Sequence, residues 1–213
     1  MVGKVLVAAT GKGGAGKSTT VAALAIHWQQ NGRKVALLDA DQNQTLTRWH
    51  AKKGALSEIT LRTQSDEQKI IQAINDLADD HDLVLVDCAG FGNQAMVFAI
   101  GAADLVLIPV MSDEANIFEA LRTIKLVESA SRLIKRPIPA RTVLTRTRRA
   151  NVSVHARKQL AAHNAQPLMA EIGDRAVFQE ATFHGSSPTE LAPRSQAARD
   201  IRALAQELDE LDW

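Results

Sequence analysis

The sequence predicts an α/β fold, a doubly wound and mainly parallel sheet. Three observations lead there. Short runs of Val, Leu and Ile recur without polar alternation, the pattern of strands buried on both faces. Longer segments of helical length and period separate them. The chain has 213 residues, 46% apolar and 23% charged, which suffices for one such domain, read over 1–213. Strand–helix alternation then implies right-handed crossovers.

The apolar runs are 5–9, 35–38, 83–86, 105–110 and 142–144. Helices are expected near 17–31, 66–79, 93–102, 114–134, 152–164 and 195–210. Asn31-Gly32 reads as a turn, with Gly32 closing the first helix. Residues 182–194, with Gly185, Pro188 and Pro193, read as a mobile loop. No apolar stretch approaches the roughly 20 residues that span a bilayer. The single cysteine, Cys88, excludes a disulfide framework or a cysteine-rich cluster within the chain and fits a reducing cytosol. With no histidine near it in sequence, Cys88 reads as a small buried filler rather than a nucleophile.

The first run leads into Gly11-Lys12-Gly13-Gly14-Ala15-Gly16-Lys17-Ser18-Thr19, which matches G-x-x-x-x-G-K-[ST] between a strand and a helix. Glycines let backbone N–H groups converge on phosphate oxygens, and the helix start adds its positive dipole end. Lys17 is placed to bridge β- and γ-phosphates, and the Ser18 hydroxyl to ligate Mg²⁺. Two further runs end in acids. One continues as Asp39-Ala40-Asp41, the other as Asp87. Carboxylates at the C-terminal ends of parallel strands lie in the crevice where such sheets bind ligands. Asp39 has an alternative, as the cap of the following helix.

Lys12, a second lysine early in the loop, makes the pattern K-G-G-x-G-K-[ST], and here the chain resembles the ParA/MinD family of P-loop ATPases with a deviant Walker A motif. The resemblance is strongest over 1–50 and 82–110. It implies ATP and Mg²⁺ as cofactors and a nucleotide-sandwich homodimer in which Lys12 reaches the partner's phosphates. It further implies that Asp41 orients the attacking water, that Asp39 supports the Mg²⁺ shell, and that Asp87 holds the ion. Thr145 and Arg146, at the end of a later strand, become candidates for base contacts. Where relatives carry prolines after the Walker B acid, this chain has Cys88-Ala89-Gly90-Phe91-Gly92, read as a flexible turn.

Composition sorts the family. Cluster-carrying members need more cysteines, and the tyrosine-kinase members a tyrosine tail; this chain has no Tyr. Membrane-bound members end in a basic amphipathic helix, whereas residues 206–213 hold four acids and no base. The small ParA type of plasmid partition remains, close to the VirC-type ATPases of conjugal transfer, which the 39–49 segment resembles.

Net charge is +1, yet 129–170 holds nine Lys/Arg and no acid, leaving 16 bases against 24 acids elsewhere. That polarity suits phosphate-neutralising contacts to non-specific double-stranded DNA. Arg148, Arg149, Arg157 and Lys158 are the candidates, with Arg175 and Arg199 as further ones; the alternative is scattered solvated charge. The resemblance thus implies a cytoplasmic ATPase that is nucleoid-associated when ATP-bound. It would segregate plasmid DNA or position another cargo, stimulated by a ParB-like partner. The alternative is a nucleotide-gated recruiter of a relaxosome or adaptor protein, with DNA secondary.

Overall fold

The computed structural model describes residues 2–90, 94–211 and 213. Phe91 and Gly92 of the expected flexible turn lie outside them. Among the described residues seven strands form one sheet: β1 (Lys4–Ala8), β2 (Val35–Ala40), β3 (Thr60–Thr63), β4 (Leu83–Cys88), β5 (Leu105–Met111), β6 (Ala140–Thr147) and β7 (Pro167–Gly173). Their order is β3-β2-β4-β1-β5-β6-β7, and every pairing is parallel. The helices are α1 (Lys17–Gln30), α2 (Thr45–His50), α3 (Ile70–Asp80), α4 (Gln94–Ala102), α5 (Glu114–Ile134), α6 (Ala150–Ala162), α7 (Ala176–His184), α8 (Pro188–Leu191) and α9 (Gln196–Asp209).

Unbroken apolar runs mark the central strands because both faces are covered. Val5, Val7, Val84, Val86, Val106 and Ile108 pack on α3–α6. The alternate residues Leu6, Ala8, Leu83, Leu85, Leu105 and Leu107 pack on α1 and α9. Each such Val, Leu or Ile side chain is worth roughly 1.5–3 kcal/mol on burial. The chain starts at the middle strand, winds to one edge and back, then winds to the other. All strand C-termini therefore face one crevice, with the β1–α1 loop at its centre.

The edges explain what the sequence did not reveal. β3 is a four-residue Thr-Leu-Arg-Thr strand, partly exposed throughout, so it carries no apolar run. β7 begins at Pro167, contains the exposed Met169 and the polar Glu171, and breaks register with β6. Its outer edge is closed by Glu207 of α9, whose carboxylate accepts from Met169 N at 2.8 Å and Ala170 N at 2.7 Å. Capping a strand edge in this way blocks pairing with another chain.

Residues 182–194 are not an open loop. They contain the end of α7 and all of α8, and Ser187, Pro188 and Thr189 are buried. Gly185 stops α7 in the left-handed region (φ +59°), and its carbonyl accepts from Leu56 N at 3.0 Å. Gly54 lies so close that an added Cβ would sit 2.0 Å from the His184 carbonyl oxygen. The sequence expectation saw turn formers here but not the segment they pack against.

That contact is testable. Gly54→Ala should lower stability by about 1–3 kcal/mol, since a backbone atom must move. Gly101→Ala in α4, where an added Cβ meets nothing within 4 Å, should raise it by ~0.5 kcal/mol. Chemical denaturation of both variants against wild type measures the pair.

Candidate functional site

The loop between β1 and α1 is built for an anion. Gly14 (φ +83°) and Gly16 (φ +88°) occupy the left-handed region, which a side chain would strain. Gly16 caps α1 with no side-chain hydrogen bond, and the first turn of α1 has no acid. Its first N–H groups and its positive dipole end are thus left for a ligand. Gly11, Gly13 and Gly14 line the approach, Ala15 is buried, and Ser18 and Thr19 are half-buried at the helix start. Lys17 is drawn inward, with only 8% of its surface exposed. From β6, the buried Thr145 donates its hydroxyl to Ala15 O at 2.9 Å. Thr145 therefore buttresses the loop, and the hydroxyl the sequence suggested for base contact is already committed.

The three aspartates separate in role. Asp39 and Asp87 are register partners on β2 and β4, and both are fully buried. Asp39 Oδ2 accepts from Thr47 N at 2.9 Å and Thr47 Oγ1 at 2.8 Å, and Oδ1 from Asp41 N at 3.3 Å. Its charge is thus spent fixing α2 to the end of β2, the helix-capping alternative. Asp87 has no hydrogen-bond partner at either oxygen. Burial pushes its carboxyl up to about 7. Ser18, close by but outside hydrogen-bond geometry, and the Lys17 charge pull it down, while Asp39 and Asp41 push it up. A buried, unpartnered carboxylate beside Ser18 is a hard-oxygen donor that a divalent cation would satisfy. Asp41, half-buried at the rim, accepts from Asn43 N at 2.8 Å, which shapes the turn into α2. Cys88 is inert: burial raises its thiol pKa far above the ordinary value.

Lys12 is exposed and opens, with Gly11, into an open cleft of about 640 Å³ walled by Glu114, Phe118, Glu119 and Arg122 of α5. On the other side of the loop, a cleft of about 400 Å³ runs from Gly16, Thr19 and Thr20 to the ends of β6 and β7. Thr145, Arg146, Asp174, Arg175, Trp49, Phe178 and Phe183 line it. The chain has five Phe and three Trp, and three of these eight meet in this cleft. That concentration was invisible in sequence because the residues are up to 134 positions apart.

The acid-free stretch does not form one patch. α5 and the opening of β6 place Arg132, Lys135, Arg136 and Arg141 at the end of the sheet opposite the crevice, whereas Arg146 at the end of β6 and Arg148 and Arg149 just after it lie at the crevice end. Three of the nine bases also find acids beyond the stretch. Arg136 pairs with Asp104 at 3.1 Å, Arg148 with Asp174 at 2.6 Å, and Arg157 with Glu171 at 3.1 Å. Arg157 also donates to Leu168 O, and its side chain is only 19% exposed. It ties α6 to β7 and is removed from the DNA candidates. Arg149 and Lys158 are exposed; Arg148 is exposed but paired, and Arg175 is paired with Asp200.

The VirC1 protein family matches residues 3–181. Protein ParA of Rhizobium radiobacter is 35% identical over 142 residues, 66% of this chain and 64% of that protein. The "maintenance of carboxysome distribution protein A" of Halothiobacillus neapolitanus is 29% identical over 92% of this chain and 91% of its own length. The fold is shared with solved structures. Apo McdA of Cyanothece has a TM-score of 0.82 at 19% identity, covering 96% of this chain and 99% of that one. The Mg-ADP complex of MinD from Pyrococcus horikoshii has 0.78 at 19%, covering 97% and 96%.

The buried acid has a pH signature. A carboxyl raised from an unfolded value near 3.8 to about 7 costs the folded protein nothing below pH 4. The cost grows as pH rises through 4–7 and is constant above, on the order of 4 kcal/mol at the rate of 1.36 kcal/mol per unit. Asp87→Asn should match nucleotide-free wild type near pH 4 and exceed it in stability by a few kcal/mol at pH 8. Denaturation midpoints across that range measure the difference.

Proposed function

This chain belongs to the VirC1 family, and we propose that it is a Mg²⁺-dependent ATPase of the ParA type that works as an ATP-sandwich homodimer to position DNA or another cargo. The observation that carries the reading is Asp87, a buried carboxylate without a partner, set beside the Ser18 and Lys17 of an intact phosphate loop. The Mg-ADP complex of the similarly folded MinD supports it.

In this reading the loop from Gly11 to Thr19 holds the phosphates through backbone N–H groups, and Lys17 spans the β- and γ-phosphates. Ser18 and Asp87 hold Mg²⁺, which would neutralise charge on the phosphate oxygens. Asp41, at the rim of the crevice, orients the attacking water; positioning suits a loose phosphoryl transition state that needs little base strength. Asp39 acts indirectly, by fixing α2 and hence the Asp41 turn. Lys12, exposed beside the α5 cleft, serves the phosphates of a second copy and adds a cation to the developing charge. Arg146, at the cleft, contacts the nucleoside.

Dimerisation would bring two sets of Arg149, Lys158 and Arg148 together, strengthening non-specific contacts to double-stranded DNA and nucleoid association in the ATP state. A ParB-like partner would stimulate hydrolysis and release. The dispersal of the basic stretch favours a second reading, in which the nucleotide-gated dimer chiefly recruits a protein and DNA binding is secondary.

Asp41→Ala should lower kcat at least 100-fold with ATP affinity nearly unchanged, and should accumulate an ATP-bound dimer. Steady-state turnover with size analysis reads both; full turnover in the variant contradicts the mechanism. For DNA, Arg149→Glu should weaken ATP-dependent binding to random duplex and flatten its salt dependence. Wild-type binding that is equal with ATP, with ADP and without nucleotide would favour the recruiter.

A further inference from the structure

One wall of the nucleoside cleft comes from an unexpected element. Trp49 sits at the end of α2, the short helix that Asp39 fixes to β2 through Thr47 at 2.9 and 2.8 Å. Its indole faces the same cleft as Thr19 and Thr20 of α1 and Phe178 and Phe183 of α7. The 400 Å³ volume is within the range of small-molecule sites. The phosphate loop lies at one end, through Gly16.

α2 does not stand alone there. The linker after it is clasped to α7 at three points. Lys52 Nζ donates to Thr182 O at 2.8 Å and lies 5.6 Å from the centre of the Phe183 ring. Leu56 N donates to Gly185 O at 3.0 Å. Gly54 and Gly185 permit the close backbone approach, and a Cβ at Gly185 would come within 2.3 Å of Trp49 O. The clasp holds an indole, two phenyl rings and two threonine side chains around a space open to the phosphate loop. Phe183, 74% exposed, stands at the rim of this space.

We propose that Trp49 is a nucleobase-binding residue, stacking on the base so that the segment carrying Asp39 and Asp41 grips the nucleoside as well as serving the phosphates. This rests on the nucleotide reading above and extends it to a residue outside the phosphate loop and the aspartates. A planar heterocycle is the ligand chemistry that such a wall recognises, because every base has a π-face and an indole offers a large one. The same helix then joins base recognition to the position of Asp41.

The test compares a ligand with a base to one without. Calorimetric titrations of Mg·ATP and of Mg·tripolyphosphate into wild type, Trp49→Ala and Trp49→Phe give two affinities per protein. Trp49→Ala should weaken Mg·ATP on the order of tenfold and leave Mg·tripolyphosphate unchanged, and Trp49→Phe should restore most of the loss. Unchanged ATP affinity in Trp49→Ala overturns the proposal. An equal loss for both ligands also overturns it, because Trp49 would then merely support the fold. Wild type that binds tripolyphosphate as tightly as ATP removes the base from recognition and overturns it as well. Failure of wild type to bind either ligand sinks the nucleotide reading itself, and this inference with it.

Discussion

Two carboxylates buried side by side at the ends of neighbouring parallel strands are an electrostatic demand that the rest of the site answers. Neither Asp39 nor Asp87 reaches solvent, and the Asp39 charge adds to the burial that makes Asp87 costly to ionise. The chain solves one internally: Thr47 and the Asp41 N–H meet Asp39, which fixes α2 and the turn before it. It leaves the other unsolved. Asp87 keeps two bare oxygens facing Ser18 and Lys17. Its ionised form is only partly met by the Lys17 charge, and the adjacent phosphate loop presents N–H groups that require an anion. A metal–nucleotide complex satisfies both at once.

The sheet topology is what brings these demands together. β1 is central, so its loop lies between the ends of β4 and β5, with β2 one strand further out. The α2–α7 clasp then extends the site away from the phosphates, and Thr145 holds the loop's floor from β6. In the proposed reading, phosphate, metal and nucleoside regions thus share elements. Asp39 illustrates this: a charge buried for a structural reason fixes the turn that carries Asp41, the residue proposed to orient water.

Much of this was legible in the amino-acid order, where the physics is local. The five central strands read as apolar runs because both faces are covered, and the glycine loop read as a phosphate site because the whole G-x-x-x-x-G-K-[ST] pattern falls between a buried strand and a helix. β3 and β7 escaped because edge strands carry polar residues. α2 and α7 escaped because short helices owe their existence to tertiary contacts. The charge reading erred for a related reason. A run free of acids along the chain is not free of acids in space: Asp104, Glu171 and Asp174 reach Arg136, Arg157 and Arg148 from other elements. The aromatic cleft lay out of reach as well, assembled from Trp49, Phe178 and Phe183 on separate helices.

The central claim is that Asp87 awaits a cation delivered with nucleotide, and proton release tests it most directly. Mg·ATP would be titrated calorimetrically at pH 6 in two buffers of different ionisation enthalpy, with the nucleotide's own protonation subtracted. A carboxyl held up to about 7 is mostly protonated there and must ionise to hold the metal, so close to one proton per site should be released on binding. Binding with no proton release, and with the same affinity in the absence of Mg²⁺, would contradict the account.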